Sequence, residues 1–271
     1  MTKKFRANLI SFFFLLFWLV MISLLLGKEG YLSQKYLTMT SSSQSLPFRE
    51  EWFAILYQEK KVGYVYQVTR PSPRKNTPYE LYSRMKLSLF LLGEEIPVIL
   101  EGSSFLNRKY QLENLSYSLN TYLYQVEIEG ERKGSFLELE VKSPGGKIKK
   151  KIKIGKKAFA NTLMPSLLAG RKLVPGTSFS IPVFDPLSLN LGEAKIEVLA
   201  FPQREGRELF RLRMTYQGII TESLVTKEGE VLEAETPFGL KFKKTSRELA
   251  LGKLEKQKIP ELLKKFSIQY D

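Results

Sequence analysis

A mainly β fold is predicted for this chain: a curved antiparallel sheet or half-barrel, covered by one or two helices and preceded by an N-terminal transmembrane helix. Three observations carry that expectation. Short runs of β-branched and aromatic residues recur across residues 49–251, spaced too closely for the long crossovers that parallel strands need. The pattern breaks once, at KKAFANTLMPSLLAGRKLVPG, where helical spacing replaces alternation. The first 28 residues hold an uncharged run long enough to cross a bilayer.

That run, residues 7–27, follows Lys3, Lys4 and Arg6. About 20 apolar residues at roughly 1.5 Å each match a hydrocarbon core of about 30 Å. It ends in LLLGK, without the shorter apolar core and small-residue cleavage site of a removable signal, and no cysteine follows it. It therefore reads as an uncleaved anchor in a bacterial inner membrane. The flanking positive charges keep the N-terminus cytoplasmic and make the protein single-pass, with its main domain periplasmic. Four segments follow: stub and anchor over 1–28, a Ser/Thr/Tyr-rich stalk over 29–48, the β-rich domain over 49–251, and an amphipathic tail over 252–271 carrying Leu262, Leu263 and Phe266.

Within the domain, EEWFAILYQEKKVGYVYQVTRP reads as a hairpin joined at Glu59-Lys60-Lys61. Pro71, Pro73 and Pro78 mark the next loop, and strands are expected at 79–91, 96–105, 112–119, 123–129 and 136–141. In GGKIKKKIKI, Lys147, Lys149, Lys151 and Lys153 fall on one face of a strand, with Ile148, Lys150, Ile152 and Ile154 on the other. Phe159, Leu163, Leu167 and Leu168 then share one face of a helix that Pro165 kinks and Gly170 ends. Further strands are expected at 178–184, 194–201, 209–216, 219–226 and 231–235, with a turn at Lys227-Glu228-Gly229. Residues 89–92 and 96–100 alternate little, which favours a basket or sandwich covered on both faces. One long sheet explains the spacing better than two domains.

The chain contains no Cys and no His, and Asp185 and Asp271 are its only aspartates. Thiol nucleophiles, imidazole bases and Cys/His metal sites are excluded, and few ligands remain for calcium or magnesium. A non-enzyme without cofactor or metal is the expectation. Ser83 and Lys86 would point to opposite strand faces, and Glu127, Glu129 and Glu131 alternate with Val126, Ile128 and Gly130 as the solvent side of a half-buried strand does. Asp185, before Pro186, suits a turn cap.

A formal charge of +14 favours anionic partners. The lysine face has two readings: a solvated edge kept from pairing by charge, or a contact for anionic lipid or an acidic envelope protein. Export argues against nucleic acid. The face of Phe159, Leu163, Leu167 and Leu168 offers an apolar groove between helix and sheet for an acyl chain.

The segments KKVGY, GGKIKKKIKI, LVPGTSFSIPVFDPLSL and TKEGEVLEAETPFGL, in that order, resemble the exported β-domain that precedes many bacterial transglutaminase-like domains, over roughly residues 50–251. The catalytic Cys, His and Asp of that family belong to the downstream domain, and Cys and His do not occur here, so the resemblance implies an anchored accessory module facing the periplasm. The strand-helix-strand plan is also similar to the curved sheets of LolA/LolB-like lipoprotein carriers. Two functions are thus expected: a membrane-anchored, non-enzymatic binding or accessory module of the cell envelope, or a lipid or lipoprotein carrier.

Overall fold

The computed structural model describes residues 35–36, 48–91, 94–122, 124–154, 159–160, 173–186, 188–200, 203–204 and 207–252. They form β1 (Lys35–Tyr36), β2 (Arg49–Tyr57), β3 (Lys60–Pro71), β4 (Tyr79–Leu91), β5 (Glu94–Leu106), β6 (Leu112–Thr121), β7 (Gln125–Lys133), β8 (Phe136–Ser143) and β9 (Gly146–Lys153). After these come β10 (Phe159–Ala160), β11 (Ser178–Asp185), β12 (Asn190–Ala200), β13 (Gln203–Arg204), β14 (Arg207–Tyr216), β15 (Ile219–Thr226), β16 (Val231–Glu235), β17 (Leu240–Thr245) and the helix α1 (Arg247–Leu251).

Two antiparallel meanders, β2 to β9 and β11 to β17, are joined by an antiparallel ladder between β17 and β2. The ladder runs from Leu240 opposite Tyr57 to Thr245 opposite Trp52. Fourteen long strands thus make one curved sheet, with β9 at one end and β11 at the other. The sheet does not close, because no ladder joins β9 to β11 among the described residues. The outer edge of β11 instead carries the two-residue strands β1 and β10, both parallel to it.

Curvature brings the two ends face to face. Leu106, Leu115, Leu137 and Leu139 from the β5–β8 side pack with Val183, Phe184, Ile196 and Leu212 from β11–β14 in one core. A second cluster of Phe53, Ile55, Tyr57, Val62, Val65 and Leu87 sits at the junction of the meanders. Close approach needs glycine at particular points. A Cβ on Gly63 would lie 2.2 Å from the Lys86 carbonyl, and Gly130 lets Leu115 and Leu139 meet across β7.

Several expected elements move. The first hairpin turns at Gln58-Glu59, both with positive φ, and Lys60 already belongs to β3; this is the backbone a two-residue hairpin of matching twist requires. Phe159, expected in a helix, lies in β10 opposite Val183, because the free edge of β11 offers backbone partners that outweigh helical spacing. Leu163, Leu167 and Leu168 lie outside the described residues, as do the anchor at 7–27 and the tail from 253 onward. Lys35–Tyr36, within the stretch read as a stalk, pair with β11. Among the described residues no helix is long and apolar enough to cross a membrane. β17 and α1 have no counterpart among the elements expected from the sequence. Ser246 caps α1 by accepting from the Leu249 N–H, and the Lys61 ammonium donates to the Leu249 and Gly252 carbonyls at its far end.

Because one core draws on both meanders, they are expected to unfold together. Phe184→Ala, at a side chain 1% exposed, should cost about 3–5 kcal/mol. Urea denaturation followed by hydrogen exchange should show β5–β8 and β11–β14 losing protection in a single transition; two separated transitions would contradict a shared core.

Candidate functional site

The solvent face of β7–β9 carries a dense array of carboxylates and lysines. Alternation along β7 and β8 turns Ile128, Leu137 and Leu139 into the core, so Glu127, Glu129, Glu131, Glu138 and Glu140 line the opposite face. On β9 the same face receives Lys147, Lys149, Lys151 and Lys153. Register sets rows across the strands: Ser116–Glu129–Glu140–Lys149, and Asn114–Glu131–Glu138–Lys151. Lys147, Lys149, Lys151 and Lys153 therefore share one face of β9, at the end of the sheet and beside a column of carboxylates.

The pairs within it are specific. Lys147 Nζ lies 2.6 Å from Glu140 Oε1, and Lys151 lies 3.2 Å from Glu138, which also takes Lys133 at 2.9 Å. Lys142 reaches Glu129 at 3.3 Å and Glu140 at 3.7 Å. Lys151 also stands 4.8 Å above the Phe136 ring. Hydrogen bonds from Lys133 and Lys151 hold the Glu138 carboxyl below its ordinary range, and one from Lys147 does the same for Glu140. All are exposed enough for water to screen them, so each pair contributes little to stability. Lys149 and Lys153 make no ion pair among the described residues.

Beside these rows an open groove of about 740 Å³ runs from Lys149 and Lys151 past Ser116 and Asn114 to Phe105 and Arg74. The Arg74 guanidinium lies 3.8 Å over the Phe105 ring. Beside it, directly across from Phe105, Glu80 accepts from Arg70 at 2.9 and 3.2 Å and from the Ser103 hydroxyl at 2.7 Å. Cations, carboxylates and one aromatic face thus line the groove together. Among the described residues no group of three or more His, Cys, Asp or Glu side chains is placed to hold a metal.

Other singled-out residues take structural positions. Asp185 accepts from the Ser188 hydroxyl at 2.8 Å and its N–H at 3.4 Å, the turn-capping role its place before proline suggests. Ser83 and Lys86 lie three positions apart on β4 and face opposite ways. The sequence reading does not single out Glu138 and Glu140 as lysine partners, although ELE opposite KKK across a Pro-Gly-Gly turn carries that pairing in the sequence. Arg74 and Phe105 come together only through the fold.

No protein-family profile and no curated protein matches the chain. A similar solved structure is the crystal structure of a β-barrel-like protein of a domain of unknown function, DUF1849, from Brucella abortus. It superposes with a TM-score of 0.54 at 10% identity, over 74% of this chain and 96% of the other. The likeness is one of fold, a β-barrel-like sheet of the curved kind that the resemblance to lipoprotein carriers implied. It carries nothing of the transglutaminase association.

Acid should weaken the buried support of this surface. Burial, the largest influence on Glu80, raises its pKa, but hydrogen bonds from Arg70 and Ser103 and the charges of Arg70 and Arg74 together hold it below the ordinary glutamate range. A depressed folded value stabilises the fold above the unfolded pKa, and that stability is lost as pH falls through the folded value. Urea titrations should find Glu80→Gln less stable than the parent at pH 7, with the gap closing as pH drops from about 5 to about 3. A gap that stays constant would refute this coupling.

Proposed function

We propose that the chain is a membrane-anchored, non-enzymatic binding or accessory module of the bacterial cell envelope that presents its basic strand to an anionic partner. The observation that carries this reading is the column Lys147, Lys149, Lys151 and Lys153 at the end of the sheet, two of whose cations lack an ion pair among the described residues. The apolar run at 7–27 supports the tether, and the absence of Cys and His supports a binding role. The β-barrel-like neighbour supports the fold.

The carrier reading has narrower support. The interior between the facing ends of the sheet is occupied by side chains of the main core, and the groove surface at β6–β9 is polar. The helix-covered groove assigned to Leu163, Leu167 and Leu168 lies outside the described residues.

Two measurements separate the readings. A photocrosslinking residue at position 148 should give a discrete adduct in cells. That adduct should disappear when Lys147, Lys149, Lys151 and Lys153 are changed to Glu while thermal unfolding is preserved; an unchanged adduct would remove this surface. Native mass spectrometry followed by organic extraction should show no stoichiometric lipid, and finding one would move the assignment to a carrier.

A further inference from the structure

We infer that β9 is a receptor edge: it takes up an extended acidic segment of another protein as an additional strand. The inference rests on the reading of the lysine column as the binding surface and names both the mode and the partner class. Three observations lead to it. First, the two ends of the sheet differ. The edge of β11 is occupied by β1 and β10, whereas β9 pairs with β8 alone among the described residues. Residues 146–151 are exposed throughout, and Ile148, on the core-side parity, is 64% exposed.

Second, the backbone direction is set. The β8–β9 turn is closed by Ser143 opposite Gly146, and the Ile154 N–H donates to the Ser135 carbonyl at 3.0 Å. In an antiparallel ladder alternate residues turn both backbone groups to the partner. Even-numbered residues of β9 therefore face β8, and Lys147, Lys149, Lys151 and Lys153 direct their N–H and C=O groups away from the sheet. These four residues supply both the outward hydrogen-bonding groups and the cations.

Third, the charges name the occupant. The outer face reads Glu127, Glu129, Glu131 and Lys133 on β7, Phe136, Glu138, Glu140 and Lys142 on β8, then four lysines on β9. The two β8 carboxylates take Lys147 and Lys151, which leaves Lys149 and Lys153 for the far side. A strand with carboxylates on that face and an apolar residue beside Ile148 completes the pattern. A second copy of β9 would set lysine against lysine. Of the segments of this chain outside the described residues, GKKA at 155–158 and NTLMPSLLAGRK at 161–172 contain no acid, and the tail from 253 onward spreads Glu255, Glu261 and Asp271 among five lysines. A headgroup surface answers the ammonium groups but leaves the row of backbone donors and acceptors unpaired, so a peptide strand fits better. On the core side Lys150 donates to the Leu189 carbonyl at 3.1 Å, holding β9 against the start of β12 and presenting a fixed edge.

The test uses the full chain in neutral-lipid nanodiscs and a fluorescent alternating Glu-Val octapeptide, read by anisotropy. Lys149→Gln and Lys149→Pro remove the same charge, but the second also removes an outward N–H while sparing the ladder to β8. Binding to the proline variant is expected to be at least tenfold weaker than to the glutamine variant. Against the parent, the peptide N-methylated at four consecutive central amides should bind at least tenfold less well, which decides the matter even if the proline variant fails to fold. Equal affinity for the two variants and for both peptides would overturn strand addition while leaving a basic binding surface in place. Capture of phosphatidylglycerol vesicles without any peptide binding would also overturn it and assign the lysines to lipid. Loss of neither peptide nor vesicle binding in the fourfold Lys→Glu protein would instead sink the parent reading.

Discussion

The antiparallel ladder between β17 and β2 is the contact on which the architecture depends. Every other long-strand pairing joins neighbours along the chain or spans the short β13 hairpin, whereas this one joins residues almost two hundred positions apart. It places the termini of the domain at the middle of the sheet and the middle of the chain, β9 and β11, at its two ends. Its side chains reinforce it: Lys244 bridges Glu51 and Glu230, Lys241 meets Glu59 at 2.7 Å, and Arg49 donates to the carbonyls of Glu228 and Gly229. Loop closure of this length costs entropy that a few partly screened ion pairs do not recover. The apolar cluster around Phe53, Ile55 and Val65, with Phe242 and Leu240 packed against it, supplies the rest.

Local pattern reveals strands far better than it reveals their partners. Residues 79–91, 219–226 and 231–235 were legible to the residue, because their alternation and the flanking turns agree. β17 was not, although Leu240 and Phe242 alternate with lysines; a six-residue run holding three lysines reads as a loop until β2 is known to lie beside it. Phe159 shows the converse. Its spacing to Leu163 and Leu167 is helical, yet Phe159–Ala160 takes an edge position on β11. The lysine face was legible because a period of two needs no partner to be recognised. Its place at the end of the sheet was not, since that follows from the distant β17–β2 contact.

That place gives the charge its meaning. On an interior strand, four lysines in alternation would have neighbours on both sides and be neutralised in pairs. At the end of the sheet they have carboxylates on one side only, and the direct opposition of Lys142 and Lys147 is tolerated because Glu140 serves both. The groove toward Arg74 and Phe105 extends this surface across β5–β8, so a ligand meeting the edge also meets charges of both signs along the face.

An exposed edge strand invites unwanted pairing, and lysines on it are a recognised defence. Defence and recognition are compatible here because charge discriminates by sign. A copy of the same edge presents four lysines and is repelled, and the net charge of +14 adds to the repulsion between copies. An acidic strand meets no such barrier and gains both backbone hydrogen bonds and ion pairs. Specificity of this kind needs a repulsive element as well as an attractive one. In β9 the same four side chains provide both, so the device that keeps the half-barrel from joining another copy edge to edge also selects what its open edge accepts.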